Sequence, residues 1–233
     1  MRFNLVTKIF LIVVIVGLLG LTYWWQDSYL LLSFGLVIVS ILLFVIRFES
    51  RRVEPRELVL IAVLAAIAAV SRIPFASIPS VQPTTFVIMM SGFVFGAESG
   101  FIIGAVAALA SNMMLGQGPW TPWQMVAWGM VGLTAGMLRM TKLMNSVGGR
   151  ILFGAIWGFL FGWIMNLWGI LALTQSGSPL NLKAVLLYFA GSSLFDSFHS
   201  LSNVFFLLVF GNEWIKILTR FKRKYGLLDS KTL

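Results

Sequence analysis

The last hydrophobic stretch of this 233-residue chain reads FAGSSLFDSFHSLSN, and it holds a tight set of polar and ionisable side chains. Asp196, His199 and Asn203 stand at i, i+3 and i+7, so a helix places all three on one face, flanked by Ser192 and Ser200. An ionised carboxylate accepts hydrogen bonds, an imidazole donates or accepts, and an amide does both. Such a face suits a polar ligand; it equally suits a buried network in which these groups satisfy one another and the adjoining helices. Ionisable groups inside an apolar span are expensive, which makes them functional candidates. Asn166, between Trp163 and Trp168 in the preceding apolar stretch, adds an isolated amide.

A second set lies in SNMMLGQGPWTPWQMVAW, residues 111–128. Three large rings, Trp120, Trp123 and Trp128, sit there beside Gln117, Gln124, Asn112, Gly116, Gly118, Pro119 and Pro122. Tryptophan at a membrane boundary often serves as an interfacial anchor. The concentration of rings and amides in one connection instead predicts a lid and pocket for a flat, partly polar ligand. The binding candidates are therefore Gln117, Trp120, Trp123, Gln124, Asn166, Asp196, His199 and Asn203.

Several chemistries are excluded. There is no cysteine, hence no thiolate site or disulfide, and one histidine cannot build a usual zinc site. No phosphate-cradling glycine loop precedes a helix. Ser192, Asp196 and His199 share one helix face, which does not readily make a nucleophile–base relay. The reading is no catalytic residue, no metal and no cofactor.

The elements that must position these residues are membrane helices. The chain is 59% hydrophobic and 11% charged, against about 25% charged in soluble domains. Its mean hydropathy is +0.93. Apolar runs at 8–25, 29–46, 58–73, 85–95, 100–114, 123–140, 151–173 and 184–210 predict eight spans, the fourth and fifth short enough to be tilted or buried. The first follows Arg2 and Lys8 as a signal peptide would, but it lacks a small-residue cleavage site and is read as retained. With the N-terminus in the cytoplasm, fifteen of the 17 basic residues fall inside and only Arg72 and Lys183 outside, which places both termini in the cytoplasm. The net charge of +9 then reflects topology and lipid contact, not nucleic-acid binding.

The expected organisation is an all-α membrane protein. It comprises an N-terminal two-helix hairpin (1–46), a mixed-charge cytoplasmic linker (47–57), a six-helix core (58–212) and a basic cytoplasmic tail (213–233). Within the core, Gly92, Gly96, Gly100 and Gly104, and again Gly154, Gly158 and Gly162, recur every four residues, as helices packed closely in lipid require. Ala62, Ala65, Ala66 and Ala69 form a small-residue stripe on the first core helix, a candidate docking face for another membrane subunit.

Together these features give the core a family likeness. The alanine-rich helix, the loop SRIPFASIPSVQPTT, the short FGAESG turn, the loop GQGPWTPWQMVAWG and the closing D-x-x-H-x-x-x-N follow one another in order. Residues 56–225, about three quarters of the chain, resemble the substrate-binding S-component of prokaryotic energy-coupling-factor (ECF) vitamin transporters. The resemblance implies tight binding of one vitamin near the external face of the cell membrane. It also implies docking through the alanine face onto a transmembrane coupling subunit, with two cytoplasmic ATPases driving the cycle. The GPWTPWQ loop and the Asp-His-Asn helix look most like members linked to cobalamin or related corrinoids. The hairpin departs from the six-helix pattern. Two other readings stay open on the residues alone: a self-sufficient proton-coupled carrier using Asp196 and His199, and a lipid-modifying enzyme with His199 as base. The carrier reading lacks a detectable inverted repeat and paired intramembrane carboxylates.

Overall fold

The computed structural model describes residues 55–177 and 181–225, together with Gly35, Ile38, Val39 and Leu42. The expected hairpin (but for those four positions), most of the linker and residues 226–233 lie outside the described residues. All the described secondary structure is helical: α1 (Pro55–Val70), a 3-10 turn (Ile73–Phe75), α2 (Pro83–Phe95), α3 (Ala97–Leu115), α4 (Thr121–Leu138), the short α5 (Lys142–Asn145), α6 (Val147–Gln175) and α7 (Leu182–Tyr225). The six long helices coincide with the six core segments expected. Pro55, Arg56 and Glu57, expected at the end of the linker, form the first turn of α1.

Local chemistry explains the boundaries. Proline opens α1 and α2 and stands in the first turn of α4, where its missing N–H has no helical partner to lose. Ser146 caps α6 by accepting from the Gly149 N–H at 2.9 Å. Between α2 and α3 only Gly96 is non-helical, at φ 102°, a left-handed conformation that glycine adopts without strain. The FGAESG turn is thus a single residue wide, and Ala97, Glu98 and Ser99 belong to α3.

Among the described residues, four helices are long and apolar enough to cross a membrane: α1 with the turn that follows it, α3, α6 and α7. α2 has 13 residues, about 20 Å at 1.5 Å per residue, too short for a hydrocarbon core of about 30 Å. It tolerates this because it does not face lipid. All of its residues except Phe93 are buried, enclosed by α1, α3, α4 and α7. The 44 residues of α7 extend about 66 Å, so the helix continues without a break from the expected last span into the basic segment.

The glycines form the seams. A Cβ at Gly100 would strike the Gly132 backbone, so α3 and α4 meet at van der Waals distance. On α6, Gly154, Gly158 and Gly162 face Leu207, Ser200 and Asp196 of α7 in that order, which makes α6 and α7 an antiparallel pair. Polarity is inverted relative to a soluble protein. The outer face of α7 shows Leu194, Phe198, Leu201 and Phe205, while its inner face buries Asp196, His199, Ser200 and Asn203.

The alanine stripe of α1 divides. Ala62 and Ala66 are exposed among Val59, Val63, Ile67 and Val70, whereas Ala65 and Ala69 are buried in the bundle. Of the four alanines expected to form a docking face, Ala62 and Ala66 are the two that face outward. A helix has a circumference, and positions three apart straddled its edge.

Candidate functional site

The two ends of the bundle differ in chemistry. At one end, Arg150 donates to Met144 O at 2.9 Å and to Asn212 Oδ1 at 2.8 Å, and Lys222 donates to Val94 O at 3.1 Å. Arg139 lies against Gly96 at the same end. The opposite end carries Arg72, the amides and the tryptophan loop.

Arg72 follows α1 directly and is half-buried. Its Nη1 donates to Ser111 Oγ at 2.6 Å and to Asn112 Oδ1 at 2.9 Å, both at the end of α3. Ser111 gives its own proton to Ala108 O at 3.1 Å, which leaves its lone pairs for the guanidinium. The Asn112 amide spends its donors on Thr121 Oγ1 (3.0 Å) and Gln124 Oε1 (2.6 Å), so its oxygen is committed to Arg72. Thr121 in turn donates to Gln117 Oε1 at 2.9 Å, and Gln117 Nε2 reaches back to Leu109 O at 3.1 Å. The loop between α3 and α4 is therefore tied to Arg72 by a continuous polar chain.

Beneath this layer, the Arg72 guanidinium lies over the Trp128 ring, 4.6 Å from its centroid. Trp128 is fully buried and donates its Nε1 proton to Thr85 Oγ1 at 3.0 Å. Thr85 also meets His199 Nε2 at 2.8 Å. Because the indole can only donate, Thr85 accepts from it; toward the imidazole the hydroxyl can donate its proton or accept with its second lone pair, according to the tautomer. Phe161 completes the cluster, edge-on to His199 at 5.0 Å and tilted against Trp128 at 4.9 Å.

The Asp-His-Asn face of α7 does not converge on one point. Asn166 Nδ2 donates to Ser192 Oγ at 2.7 Å, and Ser192 lies 3.0 Å from both Asp196 Oδ2 and Phe189 O, either of which can take its proton. His199 belongs to the Thr85–Trp128 cluster. Asn203 donates to Gly154 O at 2.9 Å, while its Oδ1 is buried without a protein partner. All three side chains are at most 4% exposed. Sequence spacing put them on one face correctly, but each is bonded to a different neighbour.

The loop tryptophans are arranged otherwise. Trp120 is 36% exposed and stands edge-on to Trp168, centroids 6.1 Å apart. Gln117 is exposed, and Trp123 and Gln124 are half-buried. The Nε1 donors of Trp123 and Trp168 are buried with no hydrogen-bond partner. An unmet buried donor costs about 1–3 kcal/mol, so these two N–H groups mark a place where an acceptor would be welcome.

Four residues central to this end were not among the sequence-derived candidates: Arg72, Thr85, Ser111 and Thr121. Arg72 did carry a signal, since the charge count expected it, with Lys183, on the side opposite the other fifteen basic residues. Asn112 and Trp128 were noticed as part of the loop; their role as supports of Arg72 depends on contacts between helices.

The fold is that of a helical membrane protein with one layered polar end. The family model for the ECF transporter, substrate-specific component, matches residues 56–219, and the chain belongs to that family. It is thus a transporter subunit, not an enzyme in its own right, and membership implies association with a coupling subunit and ATPases. No curated protein and no solved structure matches the chain.

Proposed function

We propose that this chain captures a vitamin-type small molecule, cobalamin or a related corrinoid, for an ATP-driven importer. Binding takes place at the end of the bundle carrying Arg72, Asn112 and the tryptophan loop, which faces outward when the basic end of α7 is cytoplasmic. The Ala62–Ala66 face of α1 docks on a transmembrane coupling subunit, and two cytoplasmic ATPases supply the energy. The observation that carries this reading is the family match across all six long helices. The exposed Trp120 edge and the two unmet indole donors support a ligand that is flat, with acceptors on its rim. The separate partners of Asp196 and His199 weigh against a proton relay running between them.

The test is to co-express the chain with a coupling subunit and its ATPases, reconstitute the complex, and measure uptake of labelled cobalamin. Mass spectrometry of small molecules released from the purified chain runs alongside it. ATP-dependent uptake and a corrinoid in the released fraction are expected. A different released vitamin would replace the corrinoid and keep the importer. Uptake by the chain alone, driven by a proton gradient, would replace the importer with a secondary carrier.

A further inference from the structure

Arg72 has more hydrogen-bonding capacity than the protein uses. Both contacts to Ser111 and Asn112 come from Nη1, while Nε and Nη2 meet no acceptor among the described residues. Those two nitrogens form the edge of the guanidinium whose parallel N–H bonds match a carboxylate or a phosphate. The guanidinium carbon lies over the Trp128 ring, 4.6 Å from its centroid, and the indole gives that edge no oxygen acceptor. Among the described residues no carboxylate lies within salt-bridge distance of Arg72, and Asp196, the single described carboxylate in this half of the bundle, lies against Ser192 on α7. A half-buried cation held rigidly by two neighbours, with its bidentate edge unspent, is built to receive an anion.

We propose that the transported molecule carries an anionic group, a carboxylate or a phosphate, which pairs with the Nε–Nη2 edge of Arg72. This rests on the importer reading and adds the charge class of its ligand. Ser111 and Asn112 set the angle of the guanidinium, and Trp128 lies against it. Gln124 and Thr121 act on Arg72 only through Asn112, so they position it and do not touch the anion. The unmet N–H groups of Trp123 and Trp168 extend the same preference, since both are donors seeking acceptors.

Full-length protein in nanodiscs is titrated by calorimetry with benzoate, phenyl phosphate and the neutral isostere benzamide. Binding of at least one anion about tenfold or more tighter than benzamide is expected, and the better anion identifies the group. Arg72→Gln should abolish that preference, and Arg72→Lys, which keeps the charge but loses the fork, should retain part of it. Equal binding of benzoate, phenyl phosphate and benzamide overturns the proposal, as does failure of both anions to bind. So does a preference that persists in a folded Arg72→Gln protein. Because the comparison among probes is made on the wild type, it stands even where Arg72→Gln does not fold. The importer reading is tested separately by ATP-driven uptake, so either can fail alone.

Discussion

Asp196 on α7 packs its carboxylate against the backbone of Gly162 on α6, in the space a Cβ at 162 would fill. One helix turn along α6, Gly158 meets the backbone of Ser200, and a further turn brings Gly154 to Leu207 and Asn203. The glycine repeat and the polar face are therefore two halves of one seam. The small residues let α7 come close enough for its polar side chains to reach partners on α6.

Gly162→Ala is expected to push Asp196 out of this position and away from Ser192. Overpacking of this kind costs about 1–3 kcal/mol and should lower the melting temperature of the purified protein. Gly148→Ala, near the start of α6 with nothing within 4 Å of a new Cβ, serves as the control and should leave stability unchanged or slightly raised. Equal melting temperatures for the two variants would show that the seam has slack.

His199→Ala and Asp196→Asn should act first on stability. His199 is buried among Thr85, Trp128 and Phe161, and its loss opens a cavity beside a hydroxyl left without its ring partner. A loss of about 2–4 kcal/mol is expected for His199→Ala and less for Asp196→Asn, where the amide can still accept from Ser192. Ligand affinity measured on the folded fraction should change little. A large loss of affinity at unchanged melting temperature would instead place these groups in contact with ligand.

Trp120→Ala and Trp123→Ala should each weaken ligand binding by about 1–3 kcal/mol, the scale of a lost aromatic contact at a binding surface. Calorimetry on both variants checks this. An unchanged affinity in the folded double variant would reduce the rings to interfacial anchors.

On α1, two pairs of substitutions separate docking from packing. Ala62→Leu and Ala66→Leu, on the exposed side, should spare ligand binding and abolish uptake by the assembled transporter. Ala65→Leu and Ala69→Leu, inside the bundle, should destabilise the isolated subunit by about 1–3 kcal/mol. Uptake at normal levels in both outer variants would remove the docking role from this face.

Removing residues 1–46 should leave ligand binding intact, since the expected site and all six long helices of the core follow residue 54. Correct insertion without binding, read by calorimetry on the truncated protein, would assign the hairpin to the site.

Much of this was legible along the chain. Hydrophobic runs located the six core helices because a lipid environment demands a continuous apolar stretch and internally satisfied backbone. The i, i+3, i+7 spacing placed Asp196, His199 and Asn203 together because helical period is a local property. The four-residue glycine repeats announced close packing for the same reason. What the sequence could not show is which helix each face meets. Whether Ala65 turns inward depends on where α3 lies, and whether His199 answers to Asp196 or to Thr85 depends on a helix that starts more than a hundred residues earlier. Arg72 is the clearest case: by sequence it is a lone charge after a hydrophobic run, one more entry in a topology count. Its supports Ser111, Asn112 and Trp128 come from α3 and α4, so its setting exists only once three helices are brought to the same end of the bundle.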